Sequence, residues 1–267
     1  MTRREQLSVA AAPTLEVRLP AGSVRLLAGE AGSVTVEIAG PDAEQFRVEQ
    51  RGTTVVCAPE GGGLGRWRSF DLTVTVPPGT TLHTRLASAE LSIEPALARL
   101  EADVASGRLR AGDVAGDVRV KSASGDVGLG HVRGTARVTT ASGDIDIARL
   151  EGDAKVHSAS GDVRLGRVDG PLGLKTASGD VRILAYAGSD LECTAMSGDL
   201  EVGIPGGRSL DVDLETLSGA VRNDFDVVTA EAPVAVSGRA RVRLRSLSGD
   251  VALVRARGGD EAVGSAG

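Results

Sequence analysis

A glycine stands every ninth residue through the middle of this chain, at 107, 116, 125, 134, 143, 152, 161, 170, 179 and 188 without a gap. Serines keep twice that spacing, at Ser106, Ser124, Ser142, Ser160 and Ser178, with Ser88 extending the series backwards. Later members drift, to Ser197, Ser218 and Ser248. A fixed short period is the mark of a solenoid, in which each repeat buries its apolar side only against its neighbours.

The phase of the repeat gives the secondary structure. From Gly116 onward the third residue of each nine is Val118, Val127, Ala136, Ile145, Ala154, Val163, Leu172 or Val181. The fifth is Val120, Leu129, Val138, Ile147, Val156, Leu165, Leu174 or Ile183. The residue between them is mostly polar or glycine. Alternation with period two predicts strands with one buried face and one wet face. Each nine is then a short strand and a turn. Two nines make one coil, and coils stack as parallel strands ~4.8 Å apart. The chain is therefore expected to be all-β, a right-handed parallel β-solenoid with 18-residue coils made of two 9-residue halves. Glycine is expected to open the turns, and the following Asp to accept turn amides. The small residues of the "SAS" and "TAS" segments let the chain bend, and their hydroxyls are placed to bond to equivalents in neighbouring coils.

The ends depart from the period. Residues 1–13 read as an N-terminal extension and 14–68 as a cap or imperfect coils, with "GSVRL" at Gly22 echoing the repeat. A hairpin is expected to turn at Arg51 and Gly52, after a short helical turn. Residues 69–255 carry the repeats, irregular after 198, and 256–267 read as a disordered tail. "EGGGLGRWRS" is a loop without the Gly-Lys-Ser/Thr ending of a phosphate loop.

Composition narrows the function. Aromatics make up 2% of the residues and the formal net charge is -6, which gives no overall attraction to nucleic acid. The apolar run after Arg3 and Arg4 is short and broken by Ser8, so no secretory signal is expected, and no run elsewhere reaches a membrane span. Cys57 and Cys193 belong to no metal-spacing motif and read as free thiols in a reducing compartment. The expected location is cytoplasmic.

The repeated "SASGDV", the "VTVPPGT" that leads into it and the "GSVRL" start resemble a bacterial adhesin-like family of β-strand-repeat proteins, a domain of unknown function. The resemblance covers roughly residues 14–255. It implies a parallel β-solenoid, no known catalytic residues and an adhesin-like binding role.

Candidate sites follow from the columns that an 18-residue register creates. Arg119, Arg137 and Lys155 share one outward column, and Lys121, His157 and Lys175 share the next. No acid interrupts either between 119 and 175, so they form a basic stripe on an acidic protein, suited to an acidic protein or an anionic polymer. A phospholipid surface would suit it equally, whereas it lacks the aromatics that a nucleic-acid groove interleaves. Asp126, Asp144, Asp162, Asp180 and Asp199 form a corner column where a cation would be recruited. They lack the Gly-Gly-x-Gly-x-Asp wording of calcium rolls, and no metal or cofactor is expected. Asp144 and Asp146 are adjacent outward acids without an aromatic platform, since Trp67 lies outside the regular coils and Tyr186 is alone. His83, His131 and His157 fit no nucleophile motif. The sequence thus points to a non-catalytic interaction or scaffold protein. A self-assembling protein stacked end to end is the alternative. A polysaccharide-active β-helix comes third, favoured if carboxylates line a cleft.

Overall fold

The nine-residue halves become strands in the expected phase. Val118–Ser124, Ala136–Ser142, Ala154–Ser160 and Leu172–Ser178 stack in parallel, with Val118 facing Ala136, Ala136 facing Ala154 and Ala154 facing Leu172. These strands make a long face. Val127–Val132, Ile145–Leu150, Val163–Val168 and Val181–Tyr186 stack in the same way into a short face. This computed structural model describes residues 2–9, 12–40, 43–60, 69–225 and 239–256. The chain is all-β in these residues apart from one 3-10 turn, Ala43–Gln45.

All sixteen alternating aliphatics are buried between the two faces. A flattened interior of this kind is filled by ladders of Val, Leu and Ile, whose branched side chains pack against their own equivalents one coil away. A third ladder, Leu97, Val114, Val132, Leu150, Val168 and Tyr186, fills the second corner. That packing accounts for the scarcity of aromatics.

The first corner, Ser-Gly-Asp, is held by a ladder of carboxylates. Oδ1 of Asp144 accepts the backbone N–H of Asp162 at 2.9 Å. Asp162 does the same for Asp180, Asp180 for Asp199, and Asp199 for Asp250. Asp250 accepts the N–H of Ala220, and there the ladder stops. The aspartate is the hinge pin of the scaffold.

Two expectations about these corners need correction. Gly161 has φ +116°, as a turn-opening residue should, but the second-corner glycines do not share that conformation. Their reason is close approach: a Cβ on Gly134 would lie 2.5 Å from the carbonyl carbon of Gly116. The hydroxyls of the bend do not reach neighbouring coils in the regular repeats. Thr140, Ser158 and Thr176 donate to the carbonyl two residues ahead, and Ser122 to the carbonyl of Gly125. Their side chains are buried at the bend, where a carbonyl of their own coil lies within reach.

At the N-terminus, Thr14–Ala28 is itself stacked in parallel on Thr81–Ile93. Thr54–Pro59 then covers its first half and Ser69–Val76 its second. Antiparallel strands finish both sheets: Phe46–Arg51 beside Thr54–Pro59, Ser33–Ala39 beside Ser69–Val76, and Thr2–Ser8 beside Ser33–Ala39. The hairpin turns at Arg51 and Gly52 as expected. Phe46 and Phe70, with ring centroids 5.1 Å apart, fill the space between the sheets. Trp67 and the tail beyond residue 256 lie outside the described residues.

The C-terminal coils do not stack in chain order. Asp190–Ser197 pairs with Ala240–Ser248, and Leu210–Ser218 lies outside that strand. The short face repeats the pattern, with Val251–Arg255 between Leu200–Ile204 and Val221–Asn223. Charge explains the order. Arg241 is in register with both Asp190 and Asp211, Arg243 with both Glu192 and Asp213, and Arg245 with Thr194 and Glu215. Stacking in chain order would set acid on acid, which opposes pairing. The arginine strand separates the two acidic ones, with Arg243–Asp213 at 3.3 Å and Arg245–Glu215 at 3.1 Å.

Candidate binding face

The long face presents three outward columns, because residues two apart on a strand point the same way. Arg119, Arg137 and Lys155 align in the first, and Lys121, Thr139, His157 and Lys175 in the second. The six basic residues expected from the sequence are thus brought together. They span ~14 Å along the stack and ~7 Å across it. None of the six forms an ion pair with any described residue. By contrast Arg85 pairs with Asp103 at 3.7 Å and His83 with Glu101 at 3.2 Å in the coils just before them. Glu101 and Asp103 bound the patch at one end and Glu192 at the other.

The third column was not anticipated. Ala87, Ala105, Ala123, Ala141, Ala159 and Ala177 form an outward row beside the cations, with Ala105, Ala123, Ala141 and Ala159 exposed. The register continues it through Met196, Leu247 and Leu217, which are 58%, 50% and 82% exposed. At its N-terminal end the row floors a groove of about 1040 Å³, whose walls include Gln45, Pro59 and Glu60 together with Arg18, Arg85, Asp103 and Lys121. The signal was present in the sequence as the middle residue of "SAS". The wall at Pro59 comes from a hairpin far away in the chain, which no local pattern announces.

Carboxylates line a second hollow, of about 360 Å³, on the short face. Asp144, Asp162, Asp180 and Asp199 each use Oδ1 on the corner ladder, and Glu201 pairs with Arg182 at 3.3 Å. Asp146 stands in register between Gly128 and Arg164. Among the described residues no group of three His, Cys, Asp or Glu side chains is placed to hold a metal ion. The histidines stay apart: His131 meets Glu151 at 2.9 Å on the short-face side, away from His157.

Asp117, Cys57, Cys193 and Tyr186 are built into the scaffold. At the second corner Asp117 accepts the N–H of Thr135 at 3.1 Å and the Arg99 guanidinium at 2.7 Å. The Thr135 amide, with help from Arg99, holds its carboxyl below the ordinary range. Cys57 and Cys193 are free and buried, and burial pushes both thiols up to about 12. Burial likewise raises the Tyr186 phenol, which packs under Gly188. No helix among the described residues is long and apolar enough to cross a membrane.

One family model, described as Toastrack DUF4097, matches residues 13–254, which is nearly the whole run of coils together with the cap. The chain belongs to the Toastrack DUF4097 family. Solved structures similar to this Toastrack chain include a candidate adhesin from Bacteroides fragilis NCTC 9343, 12% identical, covering 95% of this chain and 97% of the other at a TM-score of 0.49. Another is a candidate lipid binding protein from Parabacteroides distasonis ATCC 8503, 13% identical, covering 95% and 97% at a TM-score of 0.47. A candidate adhesin from Parabacteroides merdae ATCC 43184 is 10% identical, covering 95% and 96% at a TM-score of 0.34. No curated protein matches the sequence.

Proposed function

We propose that this Toastrack protein is a non-catalytic recognition module that holds an elongated anionic partner, an acidic protein segment or another anionic polymer, along its long face. One observation carries the reading: Arg119, Lys121, Arg137, Lys155, His157 and Lys175 stand together without an ion-paired acid among the described residues, while Arg85 in the preceding coil is paired with Asp103. A rigid stack holds these charges at a fixed ~4.8 Å repeat, so a partner with regular negative charge meets them without reorganising the protein. The alanine row beside them offers apolar contact to the same partner. A cytoplasmic location belongs to this reading.

The test uses poly-L-glutamate as probe, titrated into the full chain at several salt concentrations. Binding that weakens as salt rises, and that disappears in R119E/R137E/K155E while the melting curve is kept, is the expected result. Equal binding by that variant would remove the stripe from consideration. End-to-end assembly has less support, because Ala220 occupies the corner of the outermost coil where a further coil would need a carboxylate.

A further inference from the structure

The outermost strand of the stack, Leu210–Ser218, is paired on one side only among the described residues. Its core-facing side chains Leu210, Val212 and Leu214 are half-buried, where their equivalents Val242 and Leu244 one coil inward are fully buried. Among the described residues, the five large hydrophobics that are strongly exposed all lie in the C-terminal part of the chain: Leu184, Met196, Leu217, Val221 and Leu247. The other end of the stack is protected differently. There the edge strand Thr2–Ser8 carries Arg3 and Glu5 paired on its inner side, a charged edge that discourages further pairing.

The open edge is not featureless. Asp211, Asp213 and Glu215 project from it at alternate positions, and on its inner side this row has already selected a strand with arginine at alternate positions, Ala240–Ser248. The same three carboxylates pair with Arg241, Arg243 and Arg245 on that inner side. They stay accessible on the outer face of the strand, with Asp211 and Glu215 each more than half exposed, so a second basic row could flank them as Asp190 and Asp211 flank Arg241. Backbone groups are available too. The N–H of Ala240 bonds to the carbonyl of Ser209, so in a parallel ladder the odd-numbered residues of this strand point inward. Leu210, Val212 and Leu214 therefore direct their N–H and C=O groups away from the stack.

We infer that this edge accepts an extended segment of a partner protein in which aliphatic and basic residues alternate, added as one further strand. Main-chain bonds to residues 210, 212 and 214 supply affinity, the half-open core takes the aliphatic side chains, and the acidic row selects the basic ones. Ala220 sets the limit of the addition. One strand along the long face needs no corner bond, whereas a full coil would find no carboxylate there. The inference is independent of the basic stripe, which lies several coils away.

A labelled peptide with the sequence of residues 240–248, ARVRLRSLS, is the probe, read by fluorescence anisotropy against the full chain. Saturable one-to-one binding is expected, with slowed amide exchange within residues 210–218. A peptide carrying R241E, R243E and R245E should bind about tenfold more weakly, from the loss of three cross-strand charge pairs. V212P removes one edge-facing N–H and leaves the inner ladder intact. It should abolish binding while keeping the melting curve of the parent. If V212P unfolds the end coil, the exchange pattern of the unsubstituted chain decides the matter instead. Equal binding of both peptides overturns the inference. So does absence of binding, which means the edge is already covered by another part of this chain or by a second copy.

Discussion

Replacing Gly134 by alanine tests whether the corners are as tight as the coil spacing requires. Gly134 does not have a left-handed backbone, so alanine meets no conformational penalty there. It meets the preceding coil: its Cβ would lie 2.5 Å from the carbonyl carbon of Gly116 and 2.6 Å from the oxygen. Carbon atoms pack best at about 3.5–4.0 Å, so the coils must part locally by roughly 1 Å. Overpacking of that kind costs about 1–3 kcal/mol. Restricting the unfolded chain returns about 0.4–1 kcal/mol. The net loss is then about 1–2 kcal/mol, a fall in melting temperature of several degrees for a chain of this size. Gly52→Ala is the control. Gly52 has φ +62° with nothing within 4 Å of the added Cβ, so it carries backbone strain and no clash. A left-handed residue costs about 1–2 kcal/mol, which the same entropy term offsets in part, leaving a net loss of about 1 kcal/mol or less. Urea unfolding followed by far-UV circular dichroism should therefore place G134A below G52A. If the two coincide, or G52A is the less stable, corner close-packing is not what selects glycine at the second corner.

Three further outcomes are expected. Val163→Asp puts a carboxyl among buried aliphatics and should cost several kcal/mol; a melting curve like that of the parent would contradict the assignment of inner and outer faces. Asp117 titrates lower in the folded chain than its ordinary 3.8, so its support is present above that value and is lost as pH falls through the lower folded value. D117N should therefore flatten the acid side of the stability–pH curve, and an unchanged acid limb counts against the Thr135 contact. Cys57 and Cys193, with thiols raised to about 12 by burial, should react with a thiol reagent at neutral pH only as fast as the chain opens. Rapid labelling of the native protein would show that the interior is not closed.

The middle of the fold was legible because the period is strict: one residue's environment at Val118 repeats at Ala136, Ala154 and Leu172, so a pattern read once holds everywhere. The basic columns were legible for the same reason, since register alone brings Arg119, Arg137 and Lys155 together. Direction within a coil was harder to read. Nothing in "SAS" says that Ser158 turns to its own carbonyl at Ser160 and away from the neighbouring coil. Neither the groove wall at Pro59 nor the order of the last strands is a local property. The alternating arginines of "RVRLR" and the alternating acids of "DVDLE" were in plain view. Their meaning required knowing that each lies beside the other.

The interleaved C-terminal order has a consequence for how the molecule is made and how it fails. A ribosome delivers residues 210–223 before 240–255, yet in the finished protein the earlier segment rests on the later one. The outer strand has no proper seat until the tail of the chain has emerged and slipped beneath it. A premature stop after residue 238 therefore removes more than the final layer of the stack. It takes out the second-to-last layer and strands the last, so a loss of 29 residues, 239–267, unmakes two coils at once.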